Sequence, residues 1–350
     1  MRILFVSWRD LANPQAGGSE VVVDRLAEGM QQRGHEVALV SGGPTAPRAY
    51  PVVDAGGTYA QYLRAPMVYL RRFRDYDLVV DVENGVPFFI PLFRRRPVVC
   101  FVHHVHVEQW RLYFSAPVAW LGRFLERRVM PVAYRKRVFV AVSRSTAQAL
   151  ESIGIAPDRI RTIEMGSAPV STTAQRSPTP LFLAVGRLVH HKRIGLLLEM
   201  WERVRPTTGG RLVIVGEGPE DAELRRRAGN DVEFTGYLPD AEKRHLLGEA
   251  WILVHPAQHE GWGTVIMEAA AAGTPTVGFD VPGVHDSVVD GVSGVLAQDT
   301  SGFEAGWVRL AGDEGVRERL SAGARQRAGE LTWDRALDRF AAVVAEAVPG

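Results

Sequence analysis

Two glutamates flank a glycine-rich segment in the second half of the chain. Glu260 precedes the run Gly-Trp-Gly-Thr at 261–264, and Glu268 follows eight positions after the first glutamate. A helix expected to begin near Gly263 would offer free amide N–H groups at 263–265 to an anion, because the first turn of a helix has no internal acceptors. A carboxylate one turn deeper can accept hydrogen bonds from both hydroxyls of a ribose. Helix capping alone does not account for both glutamates, so the segment indicates a nucleotide-binding site.

Two basic residues five positions apart follow a predicted strand at 181–185. Arg187 and Lys192 bound a short loop that leads into a predicted helix. Cationic side chains held at a strand end can clamp a diphosphate, although an isolated Arg/Lys pair is more often simply solvated. The next strand ends at Gly216, in a Gly-Glu-Gly turn that lets the backbone approach a ligand closely.

Adjacent glycines precede a helix in the first half of the chain. Gly17 and Gly18 follow the first predicted strand and lead into a helix expected over 19–33. Backbone N–H groups at such a position can bind a phosphate. The pattern Gly-x-Gly-x-x-Gly is absent there, so a dinucleotide site of the dehydrogenase type is not expected.

Three histidines follow the predicted strand 98–102. His103 and His104 project to opposite sides of an extended chain, which argues against a metal shared with His106. A single histidine acting on a ligand is the interpretation that this pattern favours.

Short apolar runs alternate with helical patterns throughout the chain. Their nearly continuous apolarity indicates strands buried on both faces, which is typical of parallel sheets covered by crossover helices. We predict strands at 3–6, 37–40, 78–82, 98–102 and 139–142, and then at 181–185, 211–215, 232–234, 251–254 and 276–279. The polar, proline-containing segment 171–180 reads as a linker. The sequence therefore predicts an α/β fold of two doubly wound, Rossmann-like domains, 1–170 and 171–330, followed by a helix at 331–350 with an apolar stripe.

Composition excludes several classes of protein. The 350 residues are 46% hydrophobic and 23% charged, as in an ordinary globular chain. The single cysteine, Cys100, excludes an intrachain disulfide and a cysteine-based zinc site, and it fits a reducing compartment. No apolar run reaches spanning length, and the run 3–6 is too short for a signal peptide. Residues 1–170 carry 22 basic and 15 acidic residues against 19 and 25 in the remainder, which suggests an anionic ligand or surface near the first half.

In combination these residues resemble the retaining glycosyltransferases of family 4, which have the GT-B fold. The resemblance spans essentially the whole chain, and it is most specific where Glu260 and Glu268 are followed by Ala-Ala-Ala-Ala-Gly-Thr-Pro. It implies an N-terminal acceptor-binding domain facing a C-terminal nucleotide-sugar domain across a cleft, with the closing helix returning to the N-terminal domain. The residues that would contact the donor are Gly17, Gly18, Arg187, Lys192, Gly216, Glu260, Gly261, Trp262, Gly263, Thr264, Val265 and Glu268.

The resemblance also implies individual roles. Arg187 and Lys192 would hold the donor diphosphate, and Glu268 would bind the ribose. Glu260 would contact the transferred sugar, and His103 would face that sugar from the other domain. The chain departs from the family where His104 replaces a frequent Asp, so the choice between His103 and His104 stays open. A second departure, Glu-Met-Gly-Ser at 164–167 in place of Asn-Gly, weakens any sugar contact from that loop.

The implied reaction moves a sugar from a nucleoside diphosphate to an acceptor hydroxyl with retention of configuration. The catalytic set would be His103, Glu260, Arg187 and Lys192. The positive charges of Arg187 and Lys192, with the amides at 263–265, would stabilise the leaving diphosphate. No metal or other cofactor is expected. The only Asp-x-Asp pattern near a strand, at 75–77, precedes its strand and reads as a solvated turn.

Several alternatives remain at this level. A sugar-nucleotide epimerase on the same fold, or a non-catalytic nucleotide-sugar-binding protein, would keep the same nucleotide residues. UDP and GDP donors fit equally, and the acceptor is a small molecule, a glycan or a lipid-linked molecule. Basic clusters interleaved with aromatic residues over 61–137 favour contact with an anionic membrane as one interpretation. The expected location is cytoplasmic, or peripheral to the inner face of the membrane, and no nucleic-acid partner is expected.

Overall fold

The computed structural model describes residues 1–57, 59–167 and 174–348. The chain divides into two compact units, one formed by Met1–Glu164 with Asp334–Gly350 and the other by Met165–Trp333. The predicted domain boundary at 170/171 and the first three residues of the predicted linker lie outside the described residues. Each unit contains one parallel sheet with helical connections, so the predicted α/β fold class is confirmed.

The sheet of the N-terminal unit has seven parallel strands. They are β1 (Arg2–Arg9), β2 (Glu36–Gly42), β3 (Val52–Asp54), β4 (Leu78–Glu83), β5 (Val98–Val102), β6 (Val138–Ala141) and β7 (Ile160–Thr162). Their spatial order is β3-β2-β1-β4-β5-β6-β7, with Phe5 opposite Leu39 on one side and Val80 on the other. Every residue of β4 and β5 is buried, which explains why the central strands are apolar at almost every position.

Helices of the N-terminal unit connect these strands. They are α1 (Gly18–Gln32), α2 (Gln61–Val68), α3 (Trp110–Tyr113), α4 (Ala116–Phe124), α5 (Met130–Ala133) and α6 (Arg144–Ser152). A wider helical turn, Leu125–Val129, joins α4 to α5, so that 116–133 forms one helical segment. A similar turn, Tyr69–Phe73, extends α2.

The C-terminal unit has a six-stranded parallel sheet. Its elements are β8 (Leu181–Val185), α7 (Ile194–Thr208), β9 (Arg211–Val215), α8 (Asp221–Arg227), β10 (Val232–Gly236), α9 (Asp240–Glu249), β11 (Ile252–His255), α10 (Thr264–Ala271), β12 (Thr276–Phe279), α11 (Val284–Ser287), β13 (Gly294–Ala297), α12 (Thr300–Gly312) and α13 (Glu314–Glu330). Successive residues of β8 enter different apolar clusters, Leu181 and Leu183 on one face and Phe182 and Ala184 on the other. Both faces of the sheet are therefore covered.

The strand order of this second sheet fixes where a ligand can bind. The order is β10-β9-β8-β11-β12-β13, so the direction of winding reverses between β8 and β11. In doubly wound sheets, loops that leave the carboxyl ends of the two strands at such a reversal diverge and leave a crevice. The loops after β8 and β11 carry the predicted residues Arg187, Lys192 and Glu260.

One further helix, α14 (Trp333–Ala347), packs on the N-terminal unit. Its stripe includes Leu337, Phe340 and Val344, which are buried. The ring of Phe340 lies 6.1 Å from those of Phe5 on β1 and Phe101 on β5. This helix therefore completes one face of the first sheet.

The sequence did not predict three strands, β3, β7 and β13. Each lies at the edge of its sheet and has only three or four residues. No residue of β3 or β7 is fully buried. An edge strand is covered on fewer sides and does not require a continuous apolar run, so the signal that identifies central strands is missing there.

Candidate functional site

The two loops at the strand reversal of the C-terminal unit contact each other. The first contains the short helical turn His190–Lys192, followed by Arg193 in a left-handed conformation with φ of +55°. In the second loop, the amide N–H of Gln258 donates to the carbonyl oxygen of His191 at 2.9 Å. The contact brings Lys192 beside Glu260, although 68 positions separate them in sequence.

The carboxylate of Glu260 is the centre of a buried ionic cluster. The ammonium group of Lys192 donates to Oε1 of Glu260, and the same oxygen lies 3.0 Å from Nε2 of His255. The side chains of Lys192, Glu260 and His255 are 17%, 13% and 3% exposed. Burial by itself would raise the pKa of Glu260, but the charge of Lys192 and the hydrogen bond to His255 outweigh it and hold this pKa well below its usual range. Glu260 is therefore ionised at neutral pH.

His255 was not among the predicted site residues. Burial lowers its pKa below the ordinary value, against the opposing effect of Glu260, so the neutral imidazole is the form that donates to the carboxylate. The available signal was its place at the end of β11, where a polar residue ends an apolar strand. The spacing in the sequence did not indicate that His255 contacts Glu260, because the two residues meet only through the fold of the loop between them.

Two glycines of the predicted site, Gly216 and Gly263, have positive φ angles, which other residues rarely adopt. Gly216 has φ of +133°, and a Cβ atom there would lie 2.0 Å from the carbonyl oxygen of Gly186. The ends of β8 and β9 therefore approach each other too closely for a side chain at this position. Gly263 has φ of +77° immediately before α10, which sets the direction in which that helix begins.

The first turn of α10 contains the amides predicted to face an anion. Thr264 and Val265 have no acceptor within the helix for their N–H groups, whereas Ile266 already donates to the carbonyl oxygen of Gly263 at 2.8 Å. Beside this turn, the indole of Trp262 is buried, and its Nε1 makes no hydrogen bond with any residue that the structure describes. Binding of Gly261 and Trp262 to a ligand stays a prediction.

Glu268 forms a second ion pair with a residue that the sequence did not indicate. Nζ of Lys243, on α9, lies 3.1 Å from Oε1 and 3.0 Å from Oε2 of Glu268. Burial raises the pKa of Glu268, and the charge of Lys243 opposes that rise. Lys243 precedes Glu268 by 25 positions and lies on another helix, so no periodic spacing in the sequence connects the two residues.

Arg187 differs from Lys192, its predicted partner in a phosphate clamp. The Arg187 side chain is partly exposed at the end of β8, and its guanidinium makes no hydrogen bond or ion pair with any residue in the described ranges. Lys192 is neutralised by Glu260, so Arg187 supplies an uncompensated positive charge near this strand end.

In the N-terminal unit, the loop after β1 holds a buried carboxylate. Oε2 of Glu20 accepts from the amide of Gly17 at 2.8 Å and from the hydroxyl of Ser19 at 2.9 Å. Nε of Arg9 lies 3.5 Å from the other oxygen. The amide of Gly17, predicted to bind a phosphate together with Gly18, donates to this glutamate in the structure.

The histidines after β5 have different surroundings. The ring of His104 stacks on His106, with centroids 4.0 Å apart, and its Nε2 is hydrogen-bonded to the side chain of Gln109. The ring of His103 packs edge-on against Phe101, and its buried Nε2 has no hydrogen-bond partner among the described residues. Burial, assisted by the charge of His104, lowers the pKa of His103 to about 3, so its imidazole is neutral at physiological pH.

Both units match known families. A family model described as Glycosyltransferase Family 4 matches residues 16–167, and one described as Glycosyl transferases group 1 matches residues 179–313. Together the two matches cover most of the chain and include every predicted site residue.

Relatives and solved structures agree with these matches. The glycogen synthase of Mycobacterium tuberculosis is 31% identical over 180 residues, which are 49% of this chain and 44% of that protein, so the alignment spans less than half of that relative. The 2-deoxystreptamine N-acetyl-D-glucosaminyltransferase of Streptomyces fradiae is 25% identical over 95% of this chain and 93% of its own length. The structure of Anabaena HepE in complex with UDP and glucose superposes with a TM-score of 0.80 at 18% identity, covering 99% of this chain and 100% of that one. The last similarity shows the fold.

Replacing Lys192 should destabilise the C-terminal unit, whereas replacing Arg187 should not. Lys192→Met leaves the Glu260 carboxylate buried without its cation, which should cost about 3–5 kcal/mol of unfolding free energy. Arg187→Met removes a cation without a partner and should change it by less than about 0.5 kcal/mol. Urea unfolding of both variants measures the difference. Equal losses would show that the ion pair does not stabilise the loops.

The free energy of unfolding of the N-terminal unit should decrease at acidic pH because of His103. Below about pH 6.5, His103 is protonated in the unfolded chain, whereas in the folded chain it stays neutral down to about pH 3. The free energy of unfolding therefore decreases as the pH is lowered through this window, by up to about 1.4 kcal/mol per pH unit. Between pH 7 and 5.5, His103→Gln should lose less stability than the parent. His190→Gln, which changes an exposed histidine of the other unit, should retain the parental slope. If the unfolding free energy of His103→Gln varied with pH as steeply as that of the parent, His103 would not be the source of the acid sensitivity.

Proposed function

The chain belongs to glycosyltransferase family 4, and on this premise we propose that it transfers a sugar from a nucleoside diphosphate sugar to an acceptor hydroxyl with retention of configuration. The observation that carries the proposal is the Lys192–Glu260–His255 cluster, which lies at the strand reversal of the C-terminal sheet beside the first turn of α10. At this place, cationic side chains and free backbone amides that can bind a diphosphate lie next to the carboxylate of Glu260, which can accept hydrogen bonds from sugar hydroxyls.

The diphosphate would be bound by three kinds of donor. Arg187 offers a guanidinium without a partner in the described chain, the amides of Thr264 and Val265 point out of a helix N-terminus, and Lys192 adds a charge shared with Glu260. In retaining transfer without a covalent intermediate, the acceptor oxygen bonds to the anomeric carbon on the face from which the diphosphate leaves. The acceptor proton passes to a diphosphate oxygen. These donors would stabilise the charge that grows on the leaving group.

Glu260 and Glu268 would have separate roles. Glu260 is fixed in its ionised form by Lys192 and His255, which suits a carboxylate that accepts from the hydroxyls of the transferred sugar. Glu268 would accept hydrogen bonds from the ribose hydroxyls, and the ion pair with Lys243 would hold its carboxylate in place. The Anabaena HepE complex contains UDP, which favours a uridine donor here, with GDP as the alternative.

A histidine of the N-terminal unit would complete the sugar contacts. His103 is the better candidate of the pair, since its Nε2 lacks a partner among the described residues whereas Nε2 of His104 is bonded to Gln109. A neutral imidazole can donate to or accept from a sugar hydroxyl without carrying charge.

The acceptor would be presented at an anionic membrane surface. The helical segment 116–133 exposes Trp120, Leu121 and Phe124, of which Trp120 is 67% exposed. Exposed Arg127 and Arg128 flank these side chains. An apolar patch bordered by arginines is suited to the interface of an anionic bilayer. None of the helices in the described ranges is long and apolar enough to cross a membrane.

Replacing the two glutamates should separate nucleotide binding from turnover. Glu268→Ala should weaken binding of UDP by about ten-fold or more, because hydrogen bonds to a charged group contribute about 1.5–3 kcal/mol each. Glu260→Gln, which keeps an oxygen acceptor beside Lys192 and His255, and His103→Ala should bind UDP as the parent does, while turnover of the sugar nucleotide falls by about 10² or more. Calorimetry with UDP and GDP, paired with assays of nucleotide release from the donor, measures both.

The matched control for the glutamates is Glu202→Ala, at an exposed position on α7, which should leave both quantities unchanged. Loss of UDP affinity in Glu260→Gln would contradict the separate roles given to the two glutamates, and full turnover in His103→Ala would transfer the histidine role to His104. Absence of any nucleotide binding in the parent would exclude the proposed donor.

Membrane contact predicts a preference for anionic vesicles. At low salt the protein should sediment with vesicles containing phosphatidylglycerol and not with phosphatidylcholine alone. Arg127→Gln with Arg128→Gln should weaken binding by about ten-fold or more, given about 1 kcal/mol per basic residue. Trp120→Ser should weaken it as well, and Val292→Ser, which changes an exposed apolar residue of the other unit, should not. The lack of a preference for anionic vesicles at low salt would exclude the proposed contact with an anionic membrane.

A further inference from the structure

Three potential metal ligands converge in the N-terminal unit from separate parts of the chain. Glu83 is the last residue of β4, His106 lies in the loop after β5, and Glu126 lies in the helical turn between α4 and α5. One ligand atom from each lies within 4.8 Å of the others. Nδ1 of His106 is 3.8 Å from Oε1 of Glu83. The spacing is compatible with one cation bound by all three after small side-chain movements.

Neither carboxyl group has a cationic side chain to balance it. Both Glu83 and Glu126 are fully buried, and no lysine or arginine of the described chain forms an ion pair with either. Oε1 of Glu83 accepts from the amide of Gly85 at 2.7 Å, but its Oε2 is buried without any hydrogen-bond partner among the described residues. A buried carboxyl oxygen without a partner is costly, and a bound cation would satisfy it.

The second carboxyl group is held in position by its neighbours. Oε2 of Glu126 accepts from Nε1 of Trp110 at 3.0 Å, and Oε1 accepts from the backbone amide of His106. His104 stacks on the ring of His106. Metal ligands are commonly oriented by such surrounding hydrogen bonds and packing.

We propose that Glu83, His106 and Glu126 form a binding site for one divalent transition-metal cation. One imidazole nitrogen and two carboxylate oxygens match the preferences of Mn²⁺ and Zn²⁺, and the two negative charges balance such an ion. The site is structural, because it joins the end of β4, the loop that follows His103, and the helical segment 116–133. It belongs to the N-terminal unit, and the diphosphate donors proposed above, Arg187 and Lys192, belong to the other unit. The proposal does not depend on the proposed function.

Metal titration of the full chain tests the site. After dialysis against EDTA and removal of the chelator, the protein is titrated with MnCl₂ while free Mn²⁺ is followed by electron paramagnetic resonance, and ZnCl₂ is then added as a competitor. We expect one Mn²⁺ per chain, displaced by Zn²⁺. Glu83→Gln and Glu126→Gln should abolish this binding. Trp110→Phe, which keeps an aromatic ring but removes the donor to Glu126, should weaken it by about 10- to 100-fold.

The matched control is Glu108→Gln, which changes an exposed carboxylate two positions after His106 and should leave the stoichiometry and affinity unchanged. Absence of saturable Mn²⁺ and Zn²⁺ binding by the parent overturns the proposal, whatever the variants do. Binding that is unchanged in folded Glu83→Gln, checked by circular dichroism, also overturns it. If the glutamine variants do not fold, unaltered affinity in Trp110→Phe excludes Glu126 as a ligand.

Discussion

The buried ion pair between Lys192 and Glu260 is the constraint on which the geometry of the C-terminal unit depends. It joins the loops that follow β8 and β11, the two strands between which the sheet reverses its direction of winding. A carboxylate so deeply buried is stable only with a cation and a hydrogen-bond donor beside it, and Lys192 and His255 supply both. Because α10 begins four residues after Glu260, the pair lies close in sequence to the free amides at the N-terminus of that helix.

The sequence predicted the parts of the fold that a continuous apolar run or a fixed spacing specifies. The central strands were found because both of their faces are buried, whereas β3, β7 and β13 lie at sheet edges, where that requirement is absent. Glu260 and Glu268 were found because their spacing is tied to one loop and one helix. The partners His255 and Lys243 were not, since side chains that meet through tertiary packing carry no common period. For the same reason the sequence did not indicate Glu83 and Glu126, which approach His106 only through the packing of a strand end and a helical turn.

Charge is distributed unevenly between the interior and the surface of the N-terminal unit. The buried charged residues described there are five acids and one arginine, namely Asp10, Glu20, Asp81, Glu83, Glu126 and Arg94. The excess of basic residues counted in the first half of the sequence therefore understates how basic the surface is. Asp81 is satisfied without a cation, since it accepts from the amides of Phe88 and Ile90 and from the hydroxyl of Tyr134. The arginines remain available to anions outside.

The N-terminal unit is discontinuous in sequence, because α14 packs on it after the whole C-terminal unit has intervened. During synthesis, Phe5 and Phe101 emerge from the ribosome long before Phe340, the ring that covers them. The unit translated first can therefore complete its core only after 334–347 are made, and until then an apolar strip of its sheet lacks its cover. A fragment ending near 164 would expose that strip permanently, whereas the C-terminal unit is one continuous segment, 165–333, that needs no later part of the chain to complete it.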